Sequence, residues 1–190
     1  MEILDKQDKV KIAADLYNQI HQTHVQYLHI WMKETFLHWD WWVSFILAIT
    51  PWILWWKLRK HDSTFRLVFV AIFVLTLTSW FDFIGVIFGA WHYSGKLIPT
   101  IPSYIPFDFC LFPVIVTLMI QYKPNISAWI KALIFAAFSA FIAEPLFVWM
   151  RFYVLVHWKY IYSFPLYILI YLAADWMSKR KSFAFLAEPR

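Results

Sequence analysis

The chain has 190 residues, of which 62% are hydrophobic and 15% charged, with a formal net charge of +5. A soluble domain of this length has too little interior to hide that much apolar surface, so part of its solvent is expected to be lipid. The basic residues sit at the ends of apolar runs, a pattern of membrane topology and not of a nucleic-acid-binding stripe, and the single cysteine, Cys110, excludes an internal disulfide.

Residues 1 to about 38 form an amphipathic leader. Val10, Ala13, Tyr17, Ile20, His24, Tyr27 and Trp31 recur at alternating three and four. That is a helical seam suited to a helical protein partner, to self-association through residues 10–31, or to a membrane surface. His21 and His24 share a face, but no carboxylate or cysteine completes a ligand set, so no metal is expected. The leader lacks the apolar core and small-residue cleavage site of a secretory signal. The first apolar run is therefore expected to remain as a span.

Five apolar runs follow, at about Trp41 to Trp56, Leu67 to Ala90, Ile105 to Tyr122, Ile126 to Met150 and Tyr160 to Met177. Most approach the roughly 20 residues that cross a bilayer as helix, and continuous runs of this kind exclude a β-barrel. The expected fold is all-α. It is a polytopic transmembrane bundle of five spans over residues 39–178, with the N-terminal helix before it and a basic tail over 179–190. Lys57, Arg59, Lys60, Arg66, Lys123, Lys131, Lys179, Arg180, Lys181 and Arg190 would lie on one side. Fewer basic residues flank spans on the other, so the protein is expected in the cell membrane, N-terminus outside and C-terminus cytoplasmic. Trp39, Trp41, Trp42, Trp91, Trp149 and Trp158 then fall at the outer interface, and Trp55, Trp56, Trp129 and Trp176 at the inner one, whereas Trp52 and Trp80 lie deeper.

Asp82, Asp108 and Glu144 interrupt the second, third and fourth spans. A charge near the bilayer centre costs at least about 2.5–3.5 kcal/mol, so such groups usually face protein or water and carry a role. With this topology the three acids reach a similar depth, on the outer side, near His92, Arg151, His157 and Lys159. Thr78, Asp82, Gly85 and Gly89 share one face of the second span, with Gly85 and Gly89 a close-approach pair. Ala136, Ala140 and Glu144 form a matching face of the fourth. The two faces are expected to meet and bury Asp82 against Glu144, beside a kink at Pro145, and two such carboxyls cannot both ionise cheaply. The alternative is that Asp82 and Glu144 only fix helix register, through Arg151 or the hydroxyls of Thr76, Thr78, Ser79 and Tyr93. Asp108 would then merely favour a helix start.

The stretch Trp80, Asp82, Gly89-Ala90-Trp91-His92-Tyr93, then Ile105-Pro106-Phe107-Asp108 and Phe112, resembles the membrane-integral lycopene cyclase domain. That domain carries a Trp-Asp pair, a Gly-x-Trp-x-aromatic element, and Ile/Leu-Pro-x-Glu-Glu before a Phe-rich helix. Here Phe81 separates Trp80 from Asp82, the acid pair shrinks to Asp108, and no clean second copy is visible. The whole chain is similar to an uncharacterised family of small multi-pass membrane proteins of spore-forming Gram-positive bacteria.

The cyclase resemblance implies metal-independent, cofactor-free acid catalysis on an isoprenoid or other membrane lipid. Asp108 or Glu144 would be the acid and Asp82 or His92 the base. Trp80, Phe81, Trp91 and Phe107 would be cation-stabilising walls, with Tyr93 and Arg151 also in the substrate site. Non-enzymatic membrane assembly, or a small proton-coupled transporter component using Asp82 and Glu144, are the competing expectations. No phosphate-binding glycine loop, nucleophile elbow or His-Glu-x-x-His is present.

Overall fold

The structure, a computed structural model, describes residues 5–180. The first four residues of the leader, and the expected basic tail beyond residue 180, lie outside the described residues. Among the described residues the fold is all-α: six helices and a two-stranded ribbon.

Helix α1 (Lys6–Glu34) starts at Asp5, whose side chain accepts from the Lys6 N–H, and ends at Lys33 in its last turn, a favourable polarity for the helix dipole. It is about 43 Å long at 1.5 Å per residue, yet Trp31 is its one buried side chain. The seam read from the sequence is therefore real as a helix and uncovered: Val10, Tyr17 and Ile20 are all exposed.

Helices α2 (Trp39–Leu58) and α3 (Thr64–Ile87) follow, the second led in by a single 3-10 turn at His61–Ser63. The chain then makes strand β1 (Trp91–Tyr93) and an irregular segment, residues 94–104. Helix α4 runs Pro106–Gln121 and α5 runs Ala128–Trp149. Strand β2 (Tyr153–Leu155) pairs antiparallel with β1, setting Tyr93 opposite Tyr153 and Trp91 opposite Leu155. Helix α6 (Tyr160–Ser178) closes the bundle.

Four of these helices, α2, α3 (counted with its 3-10 turn), α5 and α6, are long and apolar enough to cross a membrane. The fifth expected span is the shorter α4. At about 24 Å it falls short of the roughly 30 Å hydrocarbon thickness, and the residues before it, 94–104, are irregular.

The helices are apolar all round, so packing and not composition selects the inward face. On α3 the buried stripe is Leu67, Val70, Ala71, Val74, Thr78, Asp82 and Gly85, a 3.6-residue period that carries Asp82 inward with the valines. The mid-bundle core joins Val70, Val74, Val116, Ala132, Phe135, Ile170, Tyr171 and Ala174. An aromatic core of Trp91, Tyr93, Tyr104, Phe107, Phe147, Phe152 and Tyr153 fills the ribbon end.

Both α4 and α5 contain a π-helical turn, at Pro106–Leu111 and Ser139–Ala143. Each lies just before a proline, Pro113 and Pro145, whose missing N–H breaks the regular ladder. In α4 the carbonyl that Pro113 leaves without its usual donor belongs to Phe109. The Trp52 indole N–H fills that place at 3.0 Å.

Trp55 and Trp91 are buried inside the protein. The Trp55 indole donates to Thr117 Oγ1 at 2.9 Å. Lys131, expected in a loop, sits in the first turn of α5. Its ammonium donates to the carbonyls of Met119 and Tyr122, capping the end of α4.

Candidate functional site

Helices α3 and α5 end in the same way. Gly89 (φ +66°) and Arg151 (φ +63°) each adopt the left-handed conformation just past the helix. Gly89 N–H bonds Val86 and Ala90 N–H bonds Gly85. Likewise Arg151 N–H bonds Val148 and Phe152 N–H bonds Phe147. These are two copies of one helix-stop motif, and two residues after each left-handed position a strand begins, β1 at Trp91 and β2 at Tyr153. Because β1 and β2 pair antiparallel, the two helix–stop–strand units meet at the ribbon.

Asp82 stands seven residues before Gly89, and Glu144 seven before Arg151. The two acids thus hold equivalent places in the two units. Both are buried, at 5% and 4% exposure, and Asp108 on the π turn of α4 is equally so at 3%. All three carboxyls line one cavity of about 50 Å³, room for a few water molecules. Phe81, Trp91, Tyr93, Phe107, Phe112, Tyr153, Trp158 and Tyr167 supply its aromatic wall.

Strand alternation fixes the partners of Asp82. Trp91 and Tyr93 lie on the same face of β1, and both donate to Asp82 Oδ1, the indole at 2.6 Å and the phenol at 2.7 Å. The Tyr104 backbone N–H donates to Oδ2 at 2.9 Å. The Thr78 hydroxyl donates to the Asp108 backbone carbonyl at 3.2 Å, and Asp108 Oδ2 is buried without a hydrogen-bond partner. Glu144 Oε1 accepts from the Tyr167 hydroxyl at 2.5 Å, while Oε2 is likewise unpartnered. Tyr93 belongs to the ribbon between the helices. Burial, reinforced by the Asp82 and Asp108 charges, holds its phenol well above the usual tyrosine range, so it stays a proton donor.

The expected meeting of the α3 and α5 faces does not occur. Helix α3 packs on α4 and α6, and α5 lies along α6, so the neighbour of Asp82 is Asp108 and not Glu144. Gly85 is spared a side chain for another reason: a Cβ there would lie 2.0 Å from Trp91 Cζ2. It admits the protein's own indole and not a second helix. Gly89 is a helix stop and no part of a helix–helix contact.

Of the residues singled out from the sequence, Asp82, Asp108, Glu144, Phe81, Trp91, Tyr93 and Phe107 line the cavity. His92, Trp80 and Arg151 do not. His92 is the outward-facing residue of β1, and Trp80 is 61% exposed on the far side of α3. Arg151 falls in the turn beyond the end of α5 and is exposed, so it shares no helix face with Glu144 and makes no ion pair with it.

Tyr104, Tyr153, Trp158, Ser163 and Tyr167 were missed. Trp158 packs edge-on to Trp91 with centroids 4.9 Å apart and donates to Ser163 Oγ. One signal was available for Tyr153: Asp82…Gly89-Ala90-Trp91 repeats in spacing as Glu144…Arg151-Phe152-Tyr153. Arginine stands where glycine would have marked the second stop. Among the described residues no cluster of His, Cys, Asp and Glu has the make-up of a metal site.

No family model, curated protein or solved structure matches the chain.

Proposed function

We propose that the chain is an integral membrane protein in which α2 to α6 all cross the bilayer, and that the acid cavity binds and protonates the unsaturated end of an isoprenoid-type lipid. One observation carries this: carboxyls from α3, α4 and α5 turn into a single aromatic-lined cavity, where Asp108 Oδ2 and Glu144 Oε2 have no partner. Structural acids in an apolar interior normally have all their oxygens satisfied. A free acid oxygen facing aromatic rings is what protonation of a carbon–carbon double bond requires.

In this reaction the Asp108 proton goes to the terminal double bond, forming a C–H bond and a tertiary carbocation. The rings of Phe107, Trp91 and Phe112 stabilise that cation. A neighbouring double bond closes the ring by forming a C–C bond, and the cation then returns a proton to a carboxylate of the Asp82–Asp108 pair. The net change is an isomerisation, with atoms and electrons balanced and no oxidant consumed. A cavity of about 50 Å³ takes the end of a chain and not its length. Phe81, 39% exposed, stands between the cavity and the outer surface, where the remainder of a lipid would lie.

The topology that goes with this puts Lys57, Arg59, Lys60, Arg66, Lys123, Lys179 and Arg180 at the cytoplasmic end. The ribbon and α1 are then outside, with the α1 seam free for a helical partner or a second copy. A second reading is favoured by one observation: both oxygens of Asp82 are fully bonded by Trp91, Tyr93 and Tyr104, as suits a non-enzymatic assembly protein whose acids fix the helix ends. A proton-coupled transporter component would use the same acids.

The discriminating experiment is mass spectrometry of lipid that co-purifies with the full chain, followed by assay of acyclic polyenes in vesicles. Asp108→Asn and Glu144→Gln should fold and lose turnover. Variants that fail to accumulate at all would favour the assembly role, and wild type with neither bound isoprenoid nor turnover would refute the acid-catalysis reading.

A further inference from the structure

Residues 94–104 have no regular secondary structure, yet three consecutive carbonyls in them are held by side chains from α1 and α2. Gly95 accepts from Ser44 Oγ at 2.7 Å, Lys96 from the Trp31 indole at 2.7 Å, and Leu97 from the Trp41 indole at 3.3 Å. The Lys96 side chain then folds back within the segment, its ammonium donating to the carbonyls of Ile101 and Pro102 at 2.8 Å each. Burial lowers the affinity of this ammonium for its proton, and the charge of Asp82 partly restores it.

The far end of the segment is tied to the acids. Ser103 Oγ donates to the Ser79 carbonyl at 3.0 Å, the Tyr104 hydroxyl meets Ser44 Oγ at 2.6 Å, and the Tyr104 N–H reaches Asp82 Oδ2. An unbroken path of hydrogen bonds and short chain therefore runs from Trp31 through Lys96 to Asp82. Trp31 is also the one side chain of α1 that is buried.

From this we infer that residues 94–104 are a strap through which the N-terminal helix positions the Asp82 carboxyl, with Trp31, Trp41 and Ser44 as positioning residues. The inference rests on the acid cavity being the functional site. An irregular segment has no ladder of its own to hold it, so beyond Ser94, which bonds Phe152 and Arg151 at its start, its conformation depends on the bonds named above. Removing one releases the carbonyl it held and loosens the Tyr104 amide at the other end. Trp31 is the buried side chain of α1, so whatever engages that helix would act on the acid pair through this indole.

The test uses the full chain in lipid nanodiscs, with amide hydrogen exchange over residues 95–104 and infrared spectra of the carboxyl region. Asp82→Asn and Asp108→Asn assign the carboxyl bands. Trp31→Phe keeps a ring against Phe36 but removes the N–H, and Tyr17→Ala, on the exposed seam of α1, serves as control. Trp31→Phe should speed exchange across 95–104 about tenfold, the equivalent of one buried hydrogen bond, and shift the band lost in Asp82→Asn. Tyr17→Ala should do neither.

Faster exchange confined to the last turn of α1 would overturn the inference. So would a loosened strap with the Asp82 band unmoved, since Trp31 would then be only structural. Failure of the acid-catalysis reading shows differently, as absence of bound isoprenoid and turnover in wild type while both Trp31 readouts respond.

Discussion

Gly85→Ala is the sharpest probe of how the site is built. A Cβ on Gly85 would lie 2.0 Å from Cζ2, 2.1 Å from Cη2 and 2.7 Å from Cε2 of Trp91, against the roughly 3.5–4.0 Å at which carbon atoms rest. The indole has nowhere to go at low cost. It is fixed by its 2.6 Å bond to Asp82 and wedged edge-on between Trp158 and Tyr153.

Overpacking costs about 1–3 kcal/mol, and a buried carboxyl losing one donor about 1–3 kcal/mol more, so the variant should lose about 2–6 kcal/mol. Gly89→Ala, four residues on, is the control. Nothing lies within 4 Å of its Cβ, and only the left-handed φ is penalised, at about 1–2 kcal/mol. Thermal and denaturant unfolding of the detergent-solubilised full chain, followed by tryptophan fluorescence, would measure both. In a double-mutant cycle, Gly85→Ala placed on Trp91→Ala should cost little. If Gly85→Ala alone is no worse than Gly89→Ala, the indole is not locked against α3 and the description of the Asp82 network is wrong.

Three further outcomes are expected in the same unfolding assay. Arg151→Gly should stabilise the chain by about 1 kcal/mol by relieving a left-handed arginine, and no gain would mean that the arginine is held there by contacts worth as much as the strain. Trp52→Phe strips the Phe109 carbonyl of its donor and should cost about 1–3 kcal/mol; an unchanged midpoint would show that another group reaches that carbonyl. Trp55→Phe and Thr117→Val should each cost about 1–2 kcal/mol, and the double variant clearly less than their sum, because they break one shared bond. Strict additivity would sink that pairing.

Length, apolar content and the ends of the runs determined that this chain is an all-α bundle, with its helices close to where they lie. The 3.6-residue period also put Thr78, Asp82 and Gly85 on one face. Three acids in apolar segments announced a common site, because a carboxyl is too costly in hydrocarbon to be left facing outward. What the sequence left open is which partner each acid would find. On helices that are apolar all round, every face competes for the interior and hydropathy does not rank them. Chain reversal decided it: the helix stops at Gly89 and Arg151 fold Trp91, Tyr93 and Tyr153 back over the ends of α3 and α5. The π turns beside Pro113 and Pro145 rotate Asp108 and Glu144 into the same space. Hydrogen bonds between residues tens of positions apart, such as Tyr104 to Asp82 or Trp31 to Lys96, follow from that closure and leave no local trace in the chain.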